Sequence, residues 1–541
     1  MTDYDSIIIG SGAGGLTAAL ALAQAGQKVL VCEQHEVPGG WTHSFTLEGY
    51  RFSPGVHYIG GIQPGGHMRA IYEGLGVSQD LAFCELNPDG FDHIIIGDEQ
   101  FDIPKGRAAY IARLQERFPQ EKAGIEALFD TIDRLIGDIG KLARIRNISD
   151  VLAAPFRART ALRWGFRSAQ KMIDNHISDP LLKAILVGQS GDHGLPPSMV
   201  SAPVHAGVMA HYYEGGYYPM GGGFAIPRAF VRALKRAGGK LRLNTPISKI
   251  LLAGNTAVGV RLTDGTEISA KNIISNADPE VTFGQLIGRE KLPGRLRRKL
   301  DKVTYSTSAL SLFFAVDMDL RAAGLDSGNY WFYQDSDLDS QYRVGLSDAV
   351  LNMDKPPMMF LTATTLKDPS KMHSGHHTLE AFTFVNHKPF QQWADQPTGD
   401  REWDYQQLKE RLMNGMFARL DEQIPGISQH VVFRDLGTPL SNQFYINATR
   451  GNLYGIDKSV WQVGPFSFPI RTVFAGLYMC GASTFSHGVA GATASGLAAA
   501  RQILHCRTND LLAAKGPDLP IYPSDDVSQW PEALQQKIAR K

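Results

Sequence analysis

Residues 5–33, DSIIIGSGAGGLTAALALAQAGQKVLVCE, decide the fold of this chain of 541 residues. The run at 5–9 is rich in β-branched residues and predicts a buried parallel strand. The alanine- and leucine-rich segment ending at Gly26 predicts a helix, and residues 28–33 predict a second strand that ends on an acidic residue. Together these elements predict a β-α-β unit within an α/β, Rossmann-type domain.

The glycines of this unit indicate what it binds. Gly10 permits a tight turn, Gly12 lets the backbone approach a pyrophosphate, and Gly15 lets the helix pack on the strand. The helix N-terminus adds unpaired N–H groups and a partial positive charge. We therefore predict dinucleotide binding, with an empty glycine turn as the alternative. The predicted contacts in this turn are Gly10, Gly12, Ala13, Gly14 and Gly15.

The segment around Glu33 distinguishes between cofactors. The Glu33 carboxylate can accept hydrogen bonds from both ribose hydroxyls, and its charge disfavours a 2′-phosphate. Residues 29–45, VLVCEQHEVPGGWTHSF, resemble the FAD-binding signature of the amine oxidase and phytoene desaturase superfamily. The resemblance implies FAD as the cofactor, with the paired glycines close to the ribityl-phosphate arm. The predicted contacts here are Glu33, Gln34, Gly39, Gly40 and Trp41.

In that superfamily the FAD-binding domain is discontinuous, which implies two later segments. Residues 238–278 contain the turn signals Gly254-Asn255 and Asp264-Gly265 and are predicted to form strands. The resemblance places Ile247 where its backbone amide and carbonyl meet the adenine edge. A plain β-meander with Ile247 in the core is the alternative.

The second of these segments is GLYMCGASTFSHGVAGATASGLAAARQIL, residues 476–504, which predicts a short strand, a glycine turn and a helix of small residues. The resemblance implies that Gly481 approaches the diphosphate and ribityl chain. It also implies that N–H groups at Val489, Ala490 and Gly491 approach the flavin N1–C2=O edge, where charge builds on reduction. Many relatives carry an aspartate where this chain has Ala482, so no side-chain hydrogen bond to the ribityl chain is expected from that position.

Residues 33–61, EQHEVPGGWTHSFTLEGYRFSPGVHYIGG, are similar to retinol saturases and, more broadly, to carotenoid isomerases and desaturases. The segments GGYYPMGGG at 215–223 and GTPLSNQFYINATRGNLYG at 437–455 agree with this resemblance. One departure is the pair Trp41-Thr42, where retinol saturases commonly carry small or cysteine residues. This departure leaves open whether retinol itself is the substrate.

The resemblance implies hydride exchange between flavin N5 and a conjugated polyene, a retinoid or a carotenoid, in an apolar tunnel. Saturation of a C=C bond by reduced flavin is the leading prediction. A carotenoid desaturase or cis-trans isomerase on the same fold is the alternative, and a flavin amine oxidase or a non-catalytic flavoprotein is more distant. Because the sequence contains no second complete dinucleotide fingerprint, we expect an external electron donor or acceptor.

Four residues are candidates for the chemistry. His57 and Tyr58 match the saturase-type motif, and His57 is a candidate proton donor because imidazole titrates near neutral pH. Tyr454 is the second candidate, with Arg450 as a clamp for a polar substrate end. The alternatives are a structural histidine and a glycine loop that shapes the flavin face. The aromatic segment 205–218 is expected to line the pocket, and no metal site is expected.

Composition limits the partners. Lysine plus arginine and aspartate plus glutamate both number 54, so no overall field attracts nucleic acid. Four widely spaced cysteines favour a reducing compartment. The N-terminus enters a strand almost at once, and no apolar run reaches about 18 residues. We therefore expect a cytoplasmic protein that meets a membrane only peripherally, on the inner face.

One segment departs from this neutral balance. Residues 141–171 contain eight basic residues and one acidic residue, with three aromatic residues interleaved. Such a segment predicts an interfacial patch for anionic lipid, and a solvated helical face is the alternative. The residues concerned are Lys141, Arg144, Arg146, Arg157, Arg159, Arg163, Arg167 and Lys171, with Asp150, Phe156, Trp164 and Phe166.

The chain divides into a discontinuous FAD-binding domain and a mixed α+β substrate domain. The FAD-binding domain is predicted at 1–80, 220–290 and 470–506, and the substrate-binding domain at 81–219 and 291–469. Residues 507–541 are predicted to form a C-terminal tail that lies over the surface or is disordered.

Overall fold

The computed structural model describes residues 2–142, 156–513 and 515–539. Within them the strands form two seven-stranded sheets, a three-stranded sheet and a two-stranded hairpin. The strands are β1 (Tyr4–Ile9), β2 (Val29–Cys32), β3 (Phe45–Leu47), β4 (Tyr50–Phe52), β5 (Phe83–Glu85), β6 (Asp92–Ile96), β7 (Glu99–Ile103), β8 (Tyr217–Pro219), β9 (Lys240–Arg242), β10 (Ile247–Ala253), β11 (Thr256–Leu262), β12 (Glu267–Ser275), β13 (Ser308–Val316), β14 (Asn329–Tyr333), β15 (Met358–Ala363), β16 (His377–Val385), β17 (Val431–Gly437), β18 (Leu477–Met479) and β19 (Ile521–Pro523).

Helices cover the sheets and fill the space between them. A π-helical segment, Glu280–Gly288, follows β12. The α-helices are α1 (Ala13–Gln24), α2 (His67–Gly74), α3 (Arg107–Arg117), α4 (Lys122–Leu142), α5 (Arg159–Trp164), α6 (Ala169–Asp174), α7 (Pro180–Leu186), α8 (Ala202–His211), α9 (Ala225–Arg236), α10 (Gly294–Lys302), α11 (Leu338–Gly345), α12 (Thr364–Lys367), α13 (Trp403–Gln423), α14 (Pro439–Ile446), α15 (Gly488–Leu504), α16 (Thr508–Leu511) and α17 (Glu532–Ala539).

The first sheet has the strand order β10-β11-β12-β1-β2-β9, with β18 also paired to β12. Strands β12, β1, β2, β9 and β18 pair in parallel. Strands β1 and β2 are buried along most of their length, as parallel strands covered on both faces must be. This arrangement confirms the predicted α/β, Rossmann-type fold built from segments distant in sequence.

Helix α1 is buried from Ala13 to Ala23 because it lies between the sheet and α15. Its small side chains permit this close approach. An ideal Cβ at Gly496 of α15 would lie 2.2 Å from the Gly14 carbonyl oxygen. The alanine-rich composition of α1 therefore reflects helix packing as well as helix propensity.

The second sheet has the order β17-β13-β16-β15-β14-β6-β7 and is antiparallel except between β14 and β6. Its strands come from residues 92–103, 308–385 and 431–437. One face packs against the helical segment of α3 to α8 and the other against α13, which gives two hydrophobic clusters.

The C-terminal segment is packed more closely than the sequence predicts. Strand β19 pairs with β5, and Trp530 is buried, with its indole N–H donating to the Pro523 carbonyl oxygen at 2.7 Å. The described part of residues 507–541 is therefore ordered against the body of the protein. Among the described residues, no helix is long and apolar enough to cross a membrane.

Candidate active site

A cavity of about 340 Å³ lies at the carboxyl ends of β1, β2 and β12. Ligands of open α/β sheets bind at this edge. The cavity continues to the second sheet, where Ala309 and Ser311 of β13 and Phe382 of β16 line it. It therefore joins the glycine-rich turn after β1 to the face of a different sheet.

The turn after β1 fits a diphosphate. Gly12 caps α1 without any side-chain hydrogen bond, which leaves the N–H groups of the first turn free for a ligand. An ideal Cβ at Gly15 would lie 2.2 Å from the Gly10 carbonyl oxygen, and one at Gly14 would lie 2.9 Å from the Ala492 carbonyl oxygen. Gly10, Gly12 and Ala13 line the cavity, whereas Gly14 and Gly15 lie behind it and permit the packing.

Glu33 lies beside this turn and is 7% exposed. Its Oε2 accepts hydrogen bonds from the Ser11 amide at 2.8 Å and the Ser11 hydroxyl at 2.6 Å, and its Oε1 accepts one from the His35 amide at 2.9 Å. Because a carboxylate offers about four acceptor positions, Oε1 can accept a further bond from a ribose hydroxyl. Glu33 and Gln34 both line the cavity, as predicted cofactor contacts should.

The paired glycines form the wall opposite Gly12. Gly39 and Gly40 have φ values of +126° and +54°, a region that glycine adopts readily. An ideal Cβ at Gly40 would lie 3.5 Å from the Gly12 Cα, so the two glycine turns face each other. Trp41 follows them and lines the cavity, where its indole narrows the space compared with a small residue.

The C-terminal segment supplies a second helix N-terminus. His487 caps α15 without a side-chain hydrogen bond. Gly481 and Val489 line the cavity, whereas Ala490 and Gly491 do not. The contacts at Ala490 and Gly491 stay predictions, because they concern backbone N–H groups, which point out of the first turn of a helix towards its N-terminus whichever face its side chains occupy.

Ile247 lines the cavity, and its contact with the adenine edge stays a prediction. It is the first residue of β10, pairs with Leu262 and lines the cavity together with Thr245. Its side chain is partly buried, so it also serves the packing role that was the alternative.

His57 lines the other end of the cavity. Its Nδ1 lies 3.2 Å from Glu380 Oε2, and its ring packs against Phe360 and Phe382 with centroid distances of 5.0 and 5.7 Å. The backbone carbonyl of His57 accepts a hydrogen bond from Lys367 Nζ at 2.8 Å. The ring is therefore held between an acidic partner and an aromatic wall.

Tyr454 also lines the cavity, and its hydroxyl donates to the Gly191 carbonyl oxygen at 2.8 Å. Arg450 is placed differently from the prediction. It is exposed, has a left-handed φ of +58° at the apex of its loop, and is not part of the cavity wall. It therefore does not reach the cavity as a clamp for substrate.

Tyr58 also differs from the prediction, because it points away from the cavity. Its hydroxyl lies 3.0 Å from Asp92 Oδ2 and 2.7 Å from Asp192 Oδ2, and its ring stacks on Tyr212 at 4.2 Å. Burial raises the pKa of Asp92 to about 6, and burial together with the charge of Asp92 raises the pKa of Asp192 well above its usual value. The Tyr58 hydroxyl thus bridges two carboxyl groups behind the cavity.

Two buried lysines lie next to the site. Lys367 is fully buried, with Nζ close to Asn329 Oδ1, and burial lowers its pKa to about 7. Lys458 is 3% exposed and donates to the Ala482 carbonyl oxygen at 2.6 Å, and burial lowers its pKa to about 7 as well. Ala482 follows Gly481 in the cavity wall.

Sequence reasoning missed Asp92, Asp192, Lys367, Glu380 and Lys458. One signal was present: a charged residue within an apolar run, as in FDHIII at 91–96, implies burial with a partner. The partners themselves lie far apart in sequence, so their contacts with the site cannot be deduced from local pattern.

The aromatic segment 205–218 belongs to the core rather than to the cavity. His205, Tyr217 and Tyr218 are buried and do not contribute to the cavity wall. Burial lowers the pKa of His205 to about 4. No group of three potential metal ligands is found among the described residues.

The basic segment lies outside the cavity wall. Trp164 is buried, whereas Phe156 and Phe166 are 73% and 49% exposed. The alternative, a solvated helical face that buries its aromatic residues in the core, therefore describes Trp164 but not the two phenylalanines. Arg144, Arg146 and Asp150 lie outside the described residues.

Known proteins resemble this chain over nearly its whole length. The profile of the family described as "Flavin containing amine oxidoreductase" matches residues 13–504. An all-trans-retinol 13,14-reductase of Danio rerio is 30% identical, over 93% of this chain and 86% of its own length. A chloroplastic prolycopene isomerase of Daucus carota is 26% identical, over 93% of this chain and 80% of its own.

Solved structures agree on the fold. An oxidoreductase from Methanosarcina mazei superposes with a TM-score of 0.64 at 16% identity, covering 91% of this chain and 99% of its own. At this identity the likeness concerns the fold alone. Because the family match runs from α1 through the second sheet to α15, the chain belongs to the flavin containing amine oxidoreductase family, in the group that includes retinol reductases and prolycopene isomerases, and it is a flavin-dependent oxidoreductase.

Proposed function

We propose that the protein binds FAD and uses it to saturate a C=C bond of a hydrophobic conjugated polyene, a retinoid or a carotenoid. The observation that carries this proposal is the shape of the cavity. One end has two glycine turns and two uncapped helix N-termini, and the other end has an apolar wall. A dinucleotide and an apolar substrate would therefore meet within a single space.

The adenosine end favours FAD over a shorter flavin. Glu33 and Gln34 lie where a ribose would bind, and Thr245 and Ile247 continue the wall beyond them. A cofactor that reaches from this wall to α15 must carry both an adenosine and a diphosphate. FMN lacks the adenosine and would leave this part of the cavity without a ligand.

The opposite end favours an apolar substrate. Ala309, Phe382 and Leu453 contribute to its wall. Aromatic and aliphatic walls suit a flat conjugated chain, since they bury its surface without leaving polar groups unpaired. The bound flavin supplies the hydride chemistry, while the protein positions the substrate and excludes water.

The test is product mass. The FAD-loaded protein would be reduced with dithionite without oxygen and incubated with all-trans-retinol or a carotenoid. A product heavier by two hydrogens supports the proposal. A substrate recovered unchanged in mass and geometry, by a protein that holds reducible FAD, contradicts it.

A polyene isomerase or desaturase is the second candidate, favoured by the relationship to prolycopene isomerases. The same incubation separates the three reactions. An isomerase returns a product of equal mass and altered double-bond geometry, and a desaturase returns one lighter by two hydrogens when the flavin starts oxidised.

An amine oxidase and a non-catalytic flavoprotein are less favoured. The described cavity wall includes no lysine, the residue expected to contact flavin through water in an amine oxidase. A non-catalytic flavoprotein would hold a flavin that dithionite cannot reduce or that no substrate reoxidises. Steady-state assays with amines and polyenes distinguish these classes.

The electron partner is part of the proposal. The sequence has one complete dinucleotide fingerprint, so a reductase cycle needs an external electron donor that reduces the flavin in each turnover. We place the protein in the cytoplasm, with its substrate drawn from a membrane surface. Fractionation of cells that express the tagged full-length chain tests this location.

A further inference from the structure

The hydrogen-bond geometry around Tyr58 indicates that one of its two acidic neighbours is protonated. Tyr58 has a single hydroxyl hydrogen, yet its oxygen lies within hydrogen-bond distance of both Asp92 Oδ2, at 3.0 Å, and Asp192 Oδ2, at 2.7 Å. One hydrogen cannot make two good bonds, and two ionised carboxylates around it would repel each other. One of the two acids therefore carries a proton and donates it to the tyrosine oxygen.

The surrounding donors decide which acid holds this proton. Asp92 Oδ2 accepts a hydrogen bond from Gln189 Nε2 at 2.7 Å, and Asp92 Oδ1 accepts one from Asn329 Nδ2 at 2.9 Å. The carboxyl group of Asp192 has only Tyr58 as a hydrogen-bond partner among the described residues. Since donors stabilise the ionised form, Asp92 is the carboxylate and Asp192 is the acid.

Asp192 does not line the cavity, but its chain segment contacts a residue that does. Asp92 and Tyr58 are buried, whereas Asp192 keeps partial exposure. The carbonyl before it, that of Gly191, accepts a hydrogen bond from the Tyr454 hydroxyl at 2.8 Å, and Tyr454 lines the cavity. The Asp192 carbonyl lies 2.7 Å from Nε2 of His487, the residue that caps α15.

We propose that Asp192 stores the proton that completes polyene saturation, with Tyr58 and Asp92 as the positioning residues that keep it protonated. This inference rests on the proposed function. Saturation forms two C–H bonds: one takes a hydride from the bound reduced flavin, and the other takes the proton as the Asp192 O–H bond breaks. Asp192 is left as a carboxylate and regains a proton from solvent, while an external reductant restores the two electrons.

The test compares Asp192→Asn and Tyr58→Phe with the control Asp98→Asn, an exposed acid in the turn between β6 and β7. Each FAD-loaded protein would be reduced with dithionite and mixed anaerobically with all-trans-retinol. Because loss of a general acid costs about 10²–10⁴-fold, we expect Asp192→Asn to slow polyene reduction by about 100-fold. Flavin reduction by dithionite and the thermal midpoint should stay as in the wild type.

A second readout does not depend on turnover. Infrared spectra of the wild-type holoenzyme should show the C=O stretch of a buried protonated carboxyl group, shifted in D₂O and missing in Asp192→Asn. Besides Tyr58 and Asp92, the titratable groups that interact with the acid are Tyr212, Tyr333, Tyr342 and Tyr454, and none of these carries a carboxyl C=O.

The possible outcomes keep the two proposals distinct. A wild type that reduces no polyene overturns the proposed function. A wild type that does so, together with an Asp192→Asn protein that is equally fast and keeps the carboxyl band, overturns the role of Asp192. An Asp192→Asn protein that reduces the polyene more slowly and lacks the carboxyl band, together with an unchanged Asp98→Asn protein, supports the role of Asp192.

A different observation carries a second inference, about the surface. Phe166, Trp461 and Phe466 form an exposed aromatic patch in which the rings contact one another at centroid distances of 5.3–6.4 Å. Their exposed fractions are 49%, 69% and 37%. Large aromatic side chains clustered in solvent mark an interaction site.

Two basic residues lie close to Phe166 in sequence, Arg163 three positions before it and Arg167 directly after it. Arg163 and Arg167 lie over the ring of buried Trp164, at 4.9 and 5.2 Å from its centroid. Neither arginine forms an ion pair with an acid in the part of the chain that the structure describes. An aromatic cluster near arginines that have no ion pair among the described residues is complementary to the headgroup region of an anionic bilayer.

We also propose that this surface docks on anionic lipid, which would supply an apolar substrate. The test is co-flotation of the FAD-loaded protein with phosphatidylcholine vesicles with and without phosphatidylserine. Phe166→Ser/Trp461→Ser should lose most binding, and Arg163→Gln/Arg167→Gln should lose about fivefold per arginine. Trp403→Ser is the matched control, since Trp403 is 72% exposed and lies on α13. Equal flotation of all variants, or none by the wild type, overturns the proposal.

Discussion

The two ends of the cavity are built by different means. The cofactor end is made largely of backbone, with glycine turns and uncapped helix N-termini beside the Glu33 carboxylate. The substrate end is held by side chains that are buried together, such as His57 with Glu380 and Tyr58 with Asp92. Backbone contacts need glycine at fixed spacing, whereas side-chain contacts need only that distant segments meet.

This difference predicts how each end responds to a substitution. A methyl group added to Gly14 or Gly15 of the cofactor end meets backbone that cannot move aside. A charge removed from the substrate end leaves a partner buried and unpaired, which costs stability or changes protonation rather than blocking space. Variants at the two ends should therefore fail in different ways.

The largest effect is expected at the cofactor end. In Gly15→Ala the new Cβ would lie 2.2 Å from the Gly10 carbonyl oxygen, so α1 must shift away from the turn that holds the diphosphate. We expect flavin affinity to fall by at least about tenfold, which is about 1.4 kcal/mol of binding free energy. Flavin absorbance per mole of purified protein measures this. Gly137→Ala is the control because no atom lies within 4 Å of its added Cβ; equal flavin content in both variants would contradict the assignment of the turn.

Glu33→Ala should come next. A hydrogen bond to a charged group contributes about 1.5–3 kcal/mol, so loss of the carboxylate should weaken FAD by about 10- to 100-fold. The same substitution should weaken FMN binding much less, because FMN has no adenosine ribose. Titration of the apoprotein with both flavins measures the two affinities. Exposed Glu36→Ala serves as the control, and a variant at Glu33 that binds FAD as the wild type does would argue against a ribose contact.

The last predicted effect is a dependence of stability on pH at Lys458. Its pKa is about 7 in the fold and about 10.4 in an unfolded chain, so the unfolded state binds more protons between these values. Stability of the wild type should therefore rise with pH from about 7 to about 10, by at most about 1.4 kcal/mol per pH unit. Lys458→Met should lose this rise.

Chemical unfolding of both proteins at several pH values measures it, with exposed Lys235→Met as the control. Parallel curves for the wild type and Lys458→Met would mean that burial does not lower the pKa of the Lys458 ammonium group.

The sequence predicts the cofactor end well for a physical reason. Gly10, Gly12 and Gly15 lie within one turn and Glu33 closes the next strand, so local spacing alone fixes their arrangement. Arg450 was misplaced because its left-handed backbone turns the side chain to solvent.

The substrate end could not be predicted in this way. Lys367 meets the His57 carbonyl across 310 positions, and Tyr58 meets Asp192 across 134. No periodicity links such residues, and each contact depends on how the second sheet packs against the first. A charged residue in an apolar run predicts burial, but its partner becomes known only from the fold.

The most direct test is anaerobic reoxidation of the reduced flavin in a single turnover. The central claim predicts that all-trans-retinol or a carotenoid, added without oxygen, restores the oxidised-flavin absorbance and yields one reduced polyene per flavin. A flavin that stays reduced in the presence of saturating polyene, yet is reoxidised by another class of acceptor, would contradict it.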